Sequence, residues 1–218
     1  MDIAFAMYPG MTVLDLTGPH EILAHHPEAA VHYLAATPGP VRCDSGMEVT
    51  ATGTFGDVPS PDVIVVPGSS QWRRALEEQR ELVAWLALAH PSASWTTSVC
   101  TGSTLLAKAG ILSGRTATTH WGVRDVLGGL GAEVSTERVV VDGDVITAAG
   151  VSAGIDMGLV LAARLWGENT ARAIQLFVEY APEPPFDSGN PETAPPEMLD
   201  QVARLLPRSE GSVPSTGP

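Results

Sequence analysis

Strand-length apolar runs alternate with stretches of helical period along most of this chain, and that alternation constrains its fold more than any other feature. Runs at residues 3–7, 31–35, 63–66 and 94–97 each end in a turn or a polar cluster. Between the last two, Leu76, Val83, Leu86 and Ala87 recur at helical spacing after Arg73-Arg74 and stop at His90-Pro91. One surface helix closing a right-handed crossover is expected there. The pattern as a whole predicts an α/β fold, with a largely parallel sheet covered by helices on both faces.

Further along, residues 102–112 read as a helix stopped at Ser113-Gly114, and 117–119 as a short strand. Residues 135–141 and 145–148 flank Asp142-Gly143-Asp144, which predicts a hairpin on a type I′ turn. Two helices follow, an all-round apolar and hence buried one over 154–166 and a second over 168–180, with Gly167 capping the first. From Pro182 six prolines in fifteen residues exclude regular structure, before a last helix from Pro196 to Leu206. No composition shift precedes residue 182. The chain therefore reads as one domain over 1–206 with a flexible tail over 207–218.

Twelve Lys and Arg against 25 Asp and Glu leave a formal charge of -13 on 218 residues, which repels phosphate backbones and anionic membrane surfaces. Nucleic acid is not an expected partner. Two cysteines, Cys43 and Cys100, do not make a disulfide scaffold, and this fits a reducing, cytoplasmic compartment. The first ten residues carry no basic segment and read as a strand, and no apolar run is long enough to span a membrane.

Chemistry concentrates at Thr97-Ser98-Val99-Cys100-Thr101-Gly102, where a strand runs into a helix with a cysteine at the turn. In α/β sheets ligands meet the carboxyl ends of the strands. A thiol at that place lies near the free N–H groups of the helix start, which favour the thiolate and lower its pKa. The same groups would steady negative charge developing on a substrate. A small residue at Gly102 permits the sharp bend of a nucleophile elbow. An inert buried thiol is the competing reading for Cys100, and it is the preferred one for Cys43, which lacks the turn context.

A thiol attacking carbon needs a proton donor or base. Asp15, between Leu14 and Leu16 in the first strand-to-helix loop, opens on the same sheet edge as Cys100; it would serve, or would simply cap the following helix. His120 follows another predicted strand and is an accessory candidate or a structural histidine. The six histidines show no metal-ligand spacing, so no metal is expected. Gly68-Ser69 and Gly150-Val151 each follow a strand and offer backbone N–H groups beside the thiol, without the pattern of a nucleotide loop.

With these residues located, the chain resembles the ThiJ/PfpI superfamily, and within it the isocyanide hydratase branch. The resemblance covers about residues 3–200 and rests on Leu14-Asp15-Leu16-Thr17-Gly18-Pro19, Val66-Pro67-Gly68, Thr97-Ser98-Val99-Cys100-Thr101-Gly102, Ala117-Thr118-Thr119-His120-Trp121, Ala149-Gly150-Val151-Ser152-Ala153-Gly154-Ile155-Asp156 and the Pro-rich segment from Glu179 to Phe186. It implies a flavodoxin-like three-layer sandwich with Cys100 as nucleophile and Asp15 as its acid partner. Thr17, Gly68, Ser69, Thr101, Gly150, Val151 and Ser152 would shape the pocket. It further implies cofactor-independent addition of water to a small-molecule isocyanide, in a homodimer. A glyoxalase- or deglycase-type thiol enzyme acting on small aldehydes, a non-catalytic ligand-binding or stress-response module, and a transcription regulator are the alternatives.

Overall fold

The computed structural model describes residues 1–205, so the expected 207–218 tail lies outside the described residues. It divides into two compact units, from Met1 to Tyr180 and from Ala181 onward. In chain order the first unit runs β1 (Asp2–Ala6), α1 (Val13–Leu23), β2 (Ala30–Ala35), β3 (Gly39–Arg42), β4 (Glu48–Ala51), β5 (Gly53–Thr54), β6 (Val63–Val66), α2 (Trp72–Glu78), α3 (Arg80–Ala89), β7 (Trp95–Val99) and α4 (Gly102–Lys108). It continues with β8 (Thr116–Ala117), α5 (Arg124–Gly129), β9 (Glu133–Val134), β10 (Val139–Asp142), β11 (Val145–Ala148), α6 (Ala153–Trp166) and α7 (Glu168–Phe177). In the second unit, turns and bends precede α8 (Pro196–Leu205).

Seven strands form the central sheet in the order β10-β11-β7-β6-β1-β2-β5, all parallel except the β10–β11 pair. The Val63-Ile64-Val65-Val66 run of β6 is buried along its whole length, as befits a central parallel strand covered on both faces. Helices α1, α6 and α7 pack together as one group, and α2 to α5 as another. Four neighbouring strands, β1, β6, β7 and β11, point the same way, so the loops after Ala6, Val66, Val99 and Ala148 emerge along one edge.

Several boundaries differ from expectation for identifiable reasons. The single helix expected after Arg73 is two, because Gln79 leaves helical geometry (ψ 48°) and lets α3 turn Leu82, Trp85, Leu86 and Ala89 inward. Helix α4 stops at Lys108, short of 112. Gly110 at φ 83° closes it in a Schellman motif, with Gly110 N–H on the Ala107 carbonyl and Ile111 N–H on that of Leu106. Helix α7 ends at Phe177 in the same manner, with Glu179 at φ 52° and Tyr180 N–H on the Gln175 carbonyl. Helix α6 is buried along one face only, through Ala153, Met157 and Leu161, while Leu159 and Val160 are half-buried. The hairpin centres on Gly143-Asp144. Gly143 alone has positive φ (60°), the pattern of a type II′ turn in place of the expected type I′.

Among the described residues no helix is long and apolar enough to cross a membrane.

Candidate active site

Strand β7 carries Thr96, Thr97, Ser98 and Val99 fully buried to the sheet edge, where Cys100 turns the chain into α4 at φ 58°. That left-handed value is strained for a residue with a side chain. It persists because the surroundings over-determine it. The Cys100 N–H reaches the carbonyls of Ala148 and Ala149 at 3.1 and 2.9 Å, and its carbonyl accepts the hydroxyls of Ser103 and Thr119 at 3.2 and 3.1 Å. A Cβ on Gly102 would sit 2.4 Å from the Val66 carbonyl oxygen and 2.8 Å from that of Pro67, so the elbow lies directly on the end of β6.

Asp15 lies in the first turn of α1 and is fully buried. It does not cap the helix; Thr12 holds that position, and no side chain caps it. Instead its Oδ2 accepts the Gly68 N–H at 2.8 Å, while Oδ1 accepts no N–H or O–H among the described residues. The carboxyl lies within hydrogen-bonding reach of the Cys100 thiol. Burial, aided by the charge of Asp44 and opposed by the Gly68 N–H, raises the Asp15 pKa to about 7. Burial also pushes the Cys100 thiol well up, with the Asp15 charge adding to it, while the N–H groups of Val151 and Thr101 pull it down. The expected lowering by helix-start amides is thus present and is outweighed. Desolvation inside a closed site costs a thiolate more than two amides return.

Gly68 stands between these groups. A Cβ there would meet the Thr101 N at 2.6 Å, the Thr101 Oγ1 at 2.7 Å and the Asp15 Oδ2 at 2.8 Å. The Thr101 hydroxyl ties the loop down from the other side, accepting the Ser69 N–H at 2.7 Å and donating to the Ser69 carbonyl at 3.0 Å. Ser69 spends its own hydroxyl on the Gly10 carbonyl. Val151, at φ 28°, turns its N–H toward the sulfur. His120 rests its ring against Gly150, where a Cβ would meet Cδ2 at 2.9 Å. Burial and Arg124 lower its pKa, and Nδ1 accepts the Gly122 N–H at 3.2 Å.

Two expected pocket residues point elsewhere. The Thr17 hydroxyl donates to the Val13 carbonyl at 3.1 Å, and the residue lines an apolar groove of about 500 Å³ with Leu14, Ile155 and Phe177. The Ser152 hydroxyl meets Arg138 at 3.3 Å, beside the Arg138–Asp156 ion pair. Thr17 lies two positions past Asp15 within α1, and Ser152 one position past Val151 at the N-cap of α6, both on helical backbone, where side-chain direction follows the helix face and not distance along the chain. Sequence reasoning passed over Tyr8, which is buried near Asp15 and Cys100 and donates to the Pro67 carbonyl at 2.9 Å. A tyrosine directly after β1, at the carboxyl edge of the sheet, was its available signal. Burial and the charges of Asp15, Cys100 and Asp44 push its phenol well up, so it stays a neutral donor. Cys43 is also buried and unpaired, and its thiol is raised by burial and Asp44.

Comparison with known proteins shows which family the chain belongs to. An isonitrile hydratase of Pseudomonas putida is 43% identical over 204 residues, which span 94% of this chain and 89% of that protein. A helix-turn-helix transcriptional regulator of Pseudomonas aeruginosa is 32% identical over 177 residues, which span 78% of this chain but 52% of the regulator. Among solved structures, a ThiJ/PfpI family protein from Pseudomonas syringae superposes with a TM-score of 0.89 at 40% identity, covering 94% of this chain and 85% of that one. Drosophila melanogaster DJ-1beta shares the fold at a TM-score of 0.75 and 20% identity, over 83% of this chain and 98% of that one. Residues 1–164 match the DJ-1/PfpI family, and the chain belongs to it.

Proposed function

We propose that the protein is an isocyanide hydratase, converting R–N≡C and water to an N-substituted formamide. The observation that carries this reading is the buried Asp15 carboxyl set beside the elbow thiol of Cys100, with the amides of Val151 and Thr101 directed at the sulfur. Similarity to the isonitrile hydratase of Pseudomonas putida along almost the whole chain supports it.

The terminal carbon of an isocyanide must gain both a proton and a nucleophile. Asp15 takes the thiol proton, the sulfur bonds to carbon, and the same proton passes from Asp15 to that carbon, giving the thioimidate R–N=CH–S–Cys100. Water then adds to the C=N carbon. Asp15 takes a proton from the water and passes it to the imine nitrogen, leaving R–NH–CH(OH)–S–Cys100 and a free carboxylate. Collapse to R–NH–CHO breaks the C–S bond, and the departing sulfur recovers the hydroxyl proton through Asp15. The amides of Val151 and Thr101 hold charge on sulfur at both ends of the cycle. No redox change occurs, and the chain's own groups move every proton.

The productive state of the pair has one proton shared between Asp15 and Cys100. Below pH 7 both groups are protonated and no base is available. Above it the carboxylate can accept the thiol proton. kcat/KM should therefore rise through a limb centred near pH 7, the Asp15 value, and this limb should vanish in Asp15→Asn. Formamide production from p-nitrophenyl isocyanide, run beside lactate production from methylglyoxal, tests the reaction itself. Lactate without formamide would transfer the site to small aldehydes, and neither product would leave a binding module.

The proposal extends to a homodimer in a reducing compartment that suits two unpaired cysteines. Sedimentation equilibrium returning a mass near 22.8 kDa would reject the dimer.

A further inference from the structure

We propose that Thr119 is a positioning residue for the nucleophile: its buried hydroxyl holds the Cys100 carbonyl in the elbow, and so keeps the sulfur before the amides of Val151 and Thr101. The inference rests on the reading of Cys100 as nucleophile.

Elbow geometry creates a particular problem at this carbonyl. In a helix running on from the strand, the Cys100 carbonyl would take the N–H of Thr104, four residues along. Here Thr104 N–H goes to Thr101 at 3.0 Å, since Cys100 lies outside the helix at φ 58°. A buried carbonyl without a donor is costly. Two hydroxyls replace the missing N–H. Ser103 belongs to α4 itself and donates at 3.2 Å. Thr119 comes from the segment after β8 and donates at 3.1 Å. Ser103 would follow α4 wherever the helix moved, whereas Thr119 ties the elbow to a separate part of the fold.

That part is well anchored. Thr118 and Thr119 are fully buried, and the Thr118 N–H reaches the Thr147 hydroxyl on β11 at 2.9 Å. The next residue, His120, packs on Gly150, immediately before the Val151 amide. Segment 118–120 therefore touches both backbone pieces that face the sulfur, the elbow through Thr119 and the Val151 turn through His120. Asp15 and Tyr8, also near the thiol, direct their hydrogen bonds to the Gly68 N–H and the Pro67 carbonyl.

Thr119→Val keeps the shape and removes the hydroxyl, while Thr119→Ser keeps the hydroxyl. The measurements are kcat and KM for p-nitrophenyl isocyanide, and the rate of Cys100 alkylation by iodoacetamide between pH 6 and 10, read by mass spectrometry. The valine variant should lose about tenfold in kcat with KM within about twofold, and its Cys100 should alkylate about tenfold more slowly at pH 8, the scale of one buried hydrogen bond. The serine variant should stay within about twofold of wild type in both. Should the valine variant not fold, Thr119→Ala, which introduces no new contact, takes its place with the same expectation. Unchanged alkylation in the hydroxyl-free variant, or equal loss in the serine variant, overturns the proposal. A wild-type chain without isocyanide turnover would reject the proposed reaction, and the alkylation rates would still decide the role of Thr119.

Discussion

Asp15→Asn should reduce kcat/KM for an isocyanide by roughly 10²-fold or more, the usual worth of a positioned acid or base, while making the protein more stable and its Cys100 more reactive. The three signs follow from one fact, the burial of a carboxyl whose pKa stands near 7. Asn can still accept the Gly68 N–H that Asp15 Oδ2 accepts at 2.8 Å, so the loop keeps its tie, but it cannot exchange a proton. Folding raises this carboxyl from 3.8 to about 7, so the unfolded chain ionises first as pH rises. The folded state is then penalised progressively between those values and fully above pH 7. The penalty is on the order of 4 kcal/mol, and Asn removes it. Urea unfolding at pH 8 should show the variant more stable than wild type, and the gap should close toward pH 4. Removing the negative charge also removes one of the causes that raise the thiol, so Cys100 should alkylate at lower pH. Cys100→Ser should abolish turnover more completely, by roughly 10⁴-fold, because a hydroxyl is a weak nucleophile beside a carboxylate. Asp15→Asn with wild-type turnover, or with reduced stability at pH 8, would return Asp15 to a structural role.

Gly102→Ala should be strongly destabilising. The added Cβ meets two carbonyl oxygens of the backbone at 2.4 and 2.8 Å, and neither can swing aside as a side chain can. Relief requires the β7–α4 elbow to lift from the end of β6. We expect a loss of about 3 kcal/mol or more, at the upper end for overpacking. Moving the elbow also moves Cys100 away from Asp15, and a displacement on the order of 1 Å costs roughly 10²-fold in rate. Gly129→Ala is the control. Its Cβ would have nothing within 4 Å, and it lies at the end of α5, so stability should change by less than about 1 kcal/mol. Equal stabilities for the two variants would contradict the close contact.

The frame of the site was legible in the sequence because its cues are local. An apolar run ending in Cys100 and followed by Gly102 announces an elbow without any knowledge of its neighbours. Asp15 was legible because two strand-to-helix loops in a parallel sheet open on one edge. Other features depend on what the fold brings across that edge. The opposing pulls on the Cys100 thiol depend on burial and on Val151, fifty-one residues on, and no local pattern reports either. Thr17 and Ser152 look equivalent to Thr101 in a motif, but which helical face is buried turns them toward the Val13 carbonyl and Arg138. The break at Gln79 has the same origin, since the periodicity of α2 and α3 reads as one stripe until each must meet its own part of the core. Thr119 lay beside the more conspicuous His120, and its use is set by a contact nineteen positions back in the chain.

The four parallel strands that end at the site also decide when its chemistry comes into being. Asp15, Gly68, Cys100 and Val151 lie far apart in the chain, and they meet only after β1, β6, β7 and β11 have found their register. Such long-range pairing is the slow part of assembling an α/β sheet. Until it is complete, Cys100 is an ordinary solvated thiol, with no carboxyl partner and no guard against whatever electrophile the solution holds. Closing the sheet brings the Asp15 carboxyl and shelter from solvent to this sulfur in one event. A newly made chain is therefore chemically vulnerable at this sulfur for as long as its sheet remains open, and a bulk alkylating reagent added during refolding would time that closure.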